Sequence, residues 1–399
     1  MGEIVIIKTE KKLSKVQQNV SEKPGSQVNG MQSRLSDEEI DHLLFGNLFS
    51  DDLTELDTQP VPSPSWFHSL TLGSGAGYAD NPLYGNYNPN GSAFGFLDLE
   101  AFSLDQEDPQ YDLLIYFFAE GKKFTDIGQE DVSGLALGQF DYSFSPTSSS
   151  FAYGIRLQHT YYDQGMDFSE IDLPYRMKIT SNRSAIHPRI MWYGRNDLSA
   201  VLDLGLEKEV YANIEDESMD FQVALEFSGE ISDNWEWSTA LKGKETKYLD
   251  RIPKTDDGTA LNGNLKSQSL DSSFALQYDH PDEIWEKTGL KIAHKMTVDS
   301  QGGYYDYNRW RLSLSQDLAW QPWAINLSGG IGDTRYTKRK LSNQDKLHRQ
   351  SLNFDLGISR FLGEDWKTFF NWNHEEENSN DSSFSYESNF WSVGMSWEK

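Results

Sequence analysis

Residues 389–399 read Asn-Phe-Trp-Ser-Val-Gly-Met-Ser-Trp-Glu-Lys. Trp391, Val393, Met395 and Trp397 share one parity, and Ser392, Gly394 and Ser396 share the other. That is the period of a β-strand, whose successive side chains point to opposite faces. One face is large and apolar; the other is small and polar. In a soluble sandwich the apolar face meets a second sheet. In a membrane barrel it meets lipid, and the small polar face looks into the lumen. Which solvent that face meets decides the fold.

The same two-faced pattern recurs from Trp66 onward. Leu97 and Leu99 alternate with Asp98 and Glu100; Leu202, Leu204 and Leu206 with Asp203, Gly205 and Glu207; Phe221, Val223, Leu225 and Phe227 with Gln222, Ala224, Glu226 and Ser228. Further on, Trp310, Leu312, Leu314, Leu318 and Trp320 alternate with Arg311, Ser313, Ser315 and Asp317, and Leu352, Phe354, Leu356 and Ile358 with Asn353, Asp355, Gly357 and Ser359. Carboxylates at the centre of a polar face are costly in a packed core and tolerable in a wet lumen.

The connections add a second signal. Short ones (105–110, 145–149, 194–197, 232–234, 280–283, 321–322, 363–365) alternate with long ones (79–91, 120–131, 163–185, 212–218, 250–265, 300–308, 337–348, 375–384). Short turns on one rim and long loops on the other define an outer-membrane meander; a Greek-key sandwich has no reason to alternate so. Counting the segments gives about sixteen antiparallel strands, which puts both barrel ends on the short-turn rim. Residues 163–194 are irregular, with Pro188 expected to force a bulge or edge position. In 128–145 the parity is split, Leu135 and Leu137 against Phe140 and Tyr142.

Composition agrees with a barrel. Hydrophobic residues are only 37% of the 399, yet the chain holds 12 Trp, 19 Tyr and 22 Phe beside 31 Gly. An aromatic-rich, aliphatic-poor mixture suits strands that show half their residues to water and place aromatics in interfacial girdles. A secreted β-rich protein with solvated faces is the competing account. The net charge of -27 excludes a nucleic-acid binder, since nothing supplies a basic footprint. With no cysteine there are no disulfides or thiolate sites. No run of about eighteen apolar residues exists to form a transmembrane helix. Met1–Lys8 holds only the brief apolar run Ile4–Ile7, so the export reading expects a leader outside these residues or a different start. Ile6, where Ser or Thr is needed, excludes a myristoylation signal.

Residues 1–64 are polar and poor in aromatics and read as a flexible periplasmic arm, with the barrel as 65–399. Ser36-Asp37-Glu38-Glu39 matches a capping box, and Ile40, Leu43, Leu44 and Leu48 follow at helical spacing, so a short helix is expected near 37–48. Its role is either packing or a docking or plugging element. Pro60, Pro62 and Pro64 end the arm.

No catalytic, cofactor or metal motif stands out. The eight histidines form no spaced metal pair. His68-Ser69 is the one adjacent His and Ser, without an orienting partner in view. Glu215-Asp216-Glu217 and Glu375-Glu376-Glu377 fall in expected long loops, where solvation competes with calcium or a cation bridge to lipopolysaccharide. Gly73 to Gly77 lacks a phosphate-loop pattern and reads as a strand with a narrow inner face. Expected lumen-lining residues are Asp98, Glu100, Arg156, Asp203, Glu207, Glu226, Lys242, Lys244, Lys291, Lys295, Arg311, Asp317 and Asp355. Mixed signs there suit either a hydrated pore or a set of braces across the wall.

From about Trp66 to the end the chain resembles a Gram-negative outer-membrane β-barrel. Gly75-Ala76-Gly77-Tyr78-Ala79-Asp80-Asn81 resembles the first strand of barrels associated with surface export, including exopolysaccharide secretion. The resemblance implies a pore or export conduit without enzymatic activity. Its implied partners are outer-membrane lipid and lipopolysaccharide, the barrel-assembly machinery, and a periplasmic partner for the arm. A non-conducting structural or adhesive barrel is the first alternative, and an outer-membrane hydrolase the second. Family barrels commonly end on an aromatic residue; here Glu398-Lys399 follow Trp397, so the terminal signal is displaced and truncation to Trp397 is expected to preserve or improve insertion. The last strand is expected to pair with Trp66–Tyr78, which leaves no sheet edge.

Overall fold

The computed structural model describes residues 66–399 apart from 87–88, 106–109, 128–130, 148, 168–175, 195–196, 213–216, 282–283, 342 and 364. The arm and its expected helix lie outside the described residues. Sixteen antiparallel strands follow one another round a closed ring. They are β1 (Trp66–Ala79), β2 (Ser92–Asp105), β3 (Tyr111–Phe124), β4 (Val132–Phe144), β5 (Phe151–Asp167), β6 (Arg176–Tyr193), β7 (Ser199–Tyr211) and β8 (Glu217–Ser232). Then come β9 (Trp235–Tyr248), β10 (Lys266–Asp279), β11 (Trp285–Asp299), β12 (Tyr307–Trp320), β13 (Trp323–Lys340), β14 (Lys346–Phe361), β15 (Trp366–Ser379) and β16 (Tyr386–Glu398). Each strand pairs with its sequence neighbours, and β1 pairs with β16 from Thr71↔Glu398 to Ala79↔Phe390.

The parity of 389–399 now has two sides in space. Val393 and Met395 are exposed on the outer surface, and Ser388, Phe390 and Ser396 are buried on the inner one. Outward apolar side chains continue round the ring: Leu97, Phe117, Leu157, Leu206, Phe221, Leu241, Phe274, Leu314, Ile331 and Leu352 are all exposed. An apolar exterior over a polar interior, closed so that no backbone edge meets hydrocarbon, is the architecture of an outer-membrane barrel. An outward girdle marks the short-turn rim, with Tyr111, Phe151, Tyr153, Trp235, Trp285, Trp320, Trp323 and Trp366 exposed.

Several expected loops are strand. Residues 120–124, 163–167, 176–185, 338–340 and 375–379 all continue the ladder. Toward the long-loop rim the outward strand residues carry charge: Lys178–Asp163 at 2.8 Å, Lys208–Glu217 at 3.2 Å, Lys247–Glu245 at 3.3 Å and Arg335–Asp333 at 2.7 Å. The strands run 13–18 residues, and about 9–11 suffice to span a bilayer. The surplus stands in water as a collar, where charge does not interrupt pairing. By the same rule of short periplasmic turns, the long-loop rim is extracellular.

Two local expectations are settled by the register. Around Pro188 there is no bulge: β6 pairs with β5 through Ile155↔Pro188, and toward β7 the ladder skips only His187 and Pro188 before resuming in register at Arg189↔Asp203. The proline's missing N–H faces β7. In β4, Phe140 and Tyr142 face outward and are exposed, while Leu137 and Gln139 are buried inside.

The seam between β1 and β16 rests on a close approach. Gly75 and Gly394 are partners across it. A Cβ on Gly75 would collide with the Val393 carbonyl and the Phe96 ring, and one on Gly394 with the Ser74 carbonyl and Phe369. Phe96 of β2 and Phe369 of β15 reach over the bare pair from either side, with ring centroids 6.0 Å apart. Glu398 and Lys399 do not merely trail the strand. Lys399 N donates to Leu70 O at 3.0 Å and Lys399 O accepts from Leu70 N at 2.9 Å, while Glu398 N donates to Asp365 O at 2.9 Å. Truncation to Trp397 therefore removes terminal hydrogen bonds, two of them at the seam, worth about 0.5–1.5 kcal/mol each. Gly394→Val should cost on the order of 1–3 kcal/mol for overpacking. Both lower the temperature at which the folded band converts to the unfolded one in heat-modified electrophoresis.

Candidate functional site: the lumen

The lumen wall has a braced sector and a more open one, which overlap on β8 and β9. From β4 to β9 most inward charges are paired and buried, and Glu226 and Lys242 also border the cavity. Asp141 accepts from Arg156 Nε at 2.9 Å and from Arg189 Nη2 at 2.5 Å. His187 sits between Asp203, 2.8 Å from Nδ1, and Glu207, 3.5 Å from Nε2. Arg183 Nε donates to the other Glu207 oxygen at 3.0 Å, and Lys244 Nζ lies 3.1 Å from Asp220. Gln222 joins the set at 3.2 Å from His187 Nδ1. Such pairs are costly to break because removing one partner strands the other in a poorly solvated wall.

Both sectors border a cavity of about 1020 Å³, His187 and Gln222 of the brace among its lining residues. Asp98, Glu226, Lys242, Lys291, Lys295, Arg311, Asp317 and Asp355 line it, together with Glu100 and the edges of Arg156 and Asp203. Glu207 and Lys244 stand on the inner wall nearer the extracellular end, 4% and 6% exposed and within the braces. Lys295 approaches Asp271 at 3.7 Å, and Asp317 accepts from Asn326 at 2.8 Å. Asp355 accepts from Ser328 at 3.3 Å and from Asn373.

Around the open sector, sign varies with position. Asp98, Glu100 and Glu120 stand on β2 and β3, where Lys122 Nζ meets Glu120 at 2.5 Å. Halfway round the ring, β11 and β12 carry Lys287, Lys291, Lys295, Arg309 and Arg311. The lumen thus has an acidic wall facing a basic one.

Two loops narrow the extracellular mouth. Residues 80–85 fold inward, burying Leu83 and Tyr84 against Phe94, Phe96, Phe124, Ile127 and Phe390. They are pinned to β16: Asn389 N and Nδ2 donate to Asp80 at 2.7 and 2.8 Å, and Asn81 Nδ2 donates to Glu387 O at 2.8 Å. Loop 249–265 reaches the end of β13, where Lys340 Nζ meets Asp256 at 2.7 Å. Arg339 lies 4.5 Å from the Tyr304 ring centroid and 5.1 Å from Phe384, and Lys254 lies 5.5 Å from Tyr304. Burial, then the nearby Arg339 and Arg251, hold the Lys254 ammonium below its usual range.

Other sequence candidates dissolve on geometry. His68 and Ser69 are adjacent on a strand and so project to opposite faces; His68 Nδ1 meets Ser103 Oγ at 2.9 Å. Glu375–Glu377 lie on β15: Glu377 meets Arg349 Nε at 2.6 Å, Tyr386 donates to Glu375, and Glu376 accepts from Asn378 at 2.6 Å. Glu215 and Asp216 lie outside the described residues. Among the described residues, no three metal-ligating side chains gather. Sequence reading missed Asp141, Arg183, His187, Arg189 and Asp220. For three of them a signal exists, since Arg183, His187 and Arg189 share one parity, but Pro188 between them makes the segment look irregular.

No protein-family model matches the sequence, and a search of curated proteins finds no match. Among solved structures the barrel is similar to Acinetobacter baumannii OccAB3, at 8% identity and TM-score 0.46, with 84% of this chain and 99% of that one covered. It is also similar to Pseudomonas aeruginosa OccK2 (OpdF), at 13% identity and TM-score 0.43, covering 83% and 98%. A bacterial polysaccharide outer membrane secretin aligns at 8% identity and TM-score 0.42, covering 83% and 98%. By its own geometry the chain is a barrel of the outer-membrane type: closed, apolar outside and charged within.

The brace makes a sharp prediction. Glu207→Gln leaves Arg183 and His187 without their shared carboxylate and should destabilise the barrel by about 3–5 kcal/mol. Asp355→Asn, in the open sector, should cost under about 1 kcal/mol. Thermal unfolding of the two variants in detergent distinguishes them.

Proposed function

We propose that the protein is a passive outer-membrane diffusion channel for small hydrated solutes. The observation that carries this reading is the cavity between opposed acidic and basic walls. A water-filled lumen crossed by a transverse field admits ions and orients polar solutes, and each wall favours the sign it attracts. The braced sector holds the wall rigid, so the bore does not depend on the solute. Loops 80–85 and 249–265 set the width of the mouth.

An export conduit for a surface polysaccharide is the second reading. It is favoured by the edges of Phe94, Phe96, Phe369 and Phe390 that border the cavity below the mouth. Apolar aromatic edges let sugar rings slide past without reading their sequence. In that case short oligosaccharides should block the current reversibly from either side.

Reconstitution in a planar bilayer tests the channel. Discrete conductance steps are expected, and a well-folded barrel that stays silent would sink the reading. Replacing Lys291, Lys295 and Arg311 with Glu should move the reversal potential toward cation selectivity. A charge pair a few Å apart in water is worth about 1 kcal/mol, so each reversal should change the ion permeability ratio several-fold. No shift would show that ions do not pass that wall.

A further inference from the structure

The two ends of the lumen differ in sign. At the short-turn rim the cavity is lined by Asp197, Glu230, Glu236, Asp317 and Glu398, against Lys287 and Lys367. Glu230, Glu236 and Glu398 stand within two residues of a strand end, so the acid sits at the periplasmic mouth itself. Glu230 and Glu236 are direct partners across the β8–β9 ladder. Directly opposed residues on one face hold their Cβ atoms about 5 Å apart, so the fields of the two carboxylates add. Lys287 is drawn to another acid of the same rim, Asp279, at 3.6 Å.

At the extracellular end the balance turns basic. Arg309 and Arg349 are buried on the inner wall there. Above them Arg251 lies 4.4 Å from the Tyr248 ring centroid, and Lys254 and Arg339 share the Tyr304 ring. Glu377 answers Arg349, and Asp256 answers Lys340. Among the described residues no carboxylate pairs with Arg339, whose neighbours are the Tyr304, Tyr336 and Phe384 rings. Between the two ends the lining is mixed, acidic on β2–β3 and basic on β11–β12.

We infer that this axial order of charge makes the pore a rectifier, which conducts more readily when the periplasmic side is positive. The inference rests on the channel reading and adds a direction to it. At that polarity cations enter through the acidic mouth and anions through the basic one, so each ion is attracted where it enters and the lumen fills with carriers. At the opposite polarity each ion must enter through the mouth that repels it, and the lumen is depleted. The transverse field between the walls orients a solute and is blind to direction; the axial order is not. At about 0.1 M salt the Debye length is about 10 Å and the field of each mouth extends into the bore, whereas at about 1 M it is about 3 Å and the field stops at the wall.

The test uses the full chain in a planar bilayer. The chain has no cysteine, so Asn262→Cys on the exposed loop 249–265, biotinylated, marks the extracellular face, and streptavidin added to one chamber perturbs the current only from that face. In about 0.1 M salt the current should be roughly twofold larger with the periplasmic side positive than at the same voltage reversed, and the ratio should approach one in about 1 M salt. Combining Glu230→Gln, Glu236→Gln and Glu398→Gln should bring the low-salt ratio close to one, while Glu245→Gln on the outer collar leaves it unchanged. Should the triple variant fail to fold, the salt dependence of the unmodified protein decides. A conducting pore with symmetric current at low salt, the opposite preferred polarity, an asymmetry that survives high salt or one that survives in the triple variant overturns the inference and leaves the channel reading standing. A folded protein that passes no current defeats the channel reading, and the inference falls with it.

Discussion

Everything in this molecule depends on closing the ring. A sheet that ends in lipid leaves a row of unpaired N–H and C=O groups in hydrocarbon, at several kcal/mol for each group. The β1–β16 ladder removes that row, from Thr71↔Glu398 to Ala79↔Phe390. The Gly75–Gly394 pair leaves its inner side bare, and Phe96 and Phe369 then lie across it. The seam is held from above as well, where Asp80 and Asn81 grip the start of β16. Backbone pairing, an aromatic bridge and a loop clamp thus act on one joint.

The lumen shows how one wall serves two physical ends. Ion pairs from β4 to β9 are buried and multiply shared, with Asp141 between two arginines and Glu207 between Arg183 and His187. Burial makes their geometry rigid and any lost partner expensive. On the β10–β14 side Lys291, Lys295, Arg311, Asp317 and Asp355 border the cavity, where their field acts on it even though some are themselves paired.

Barrel class, strand number and closing partner were legible because each follows from a period of two and from alternating connection lengths. The parity of Trp391, Val393, Met395 and Trp397 sufficed for the face that meets lipid. Strand ends were less legible. Polar residues such as Lys178, Lys340 and Glu376 look like loop in a sequence, yet outside the bilayer a charged strand pairs as well as an apolar one. The division into braced and open sectors could not be read at all, since it depends on which inward residues meet across four or five strands. His187 looked like one scattered histidine among eight until the fold placed Asp203 and Glu207 on either side of it.

The collar and the girdle together fix how deep the barrel sits. Indoles at the short-turn rim resist being drawn up into hydrocarbon, and the outward charges of the collar resist being pushed down into it. The vertical position lies between two steep penalties. A thicker or thinner bilayer must therefore deform round this protein, because the protein has no cheap displacement with which to follow it.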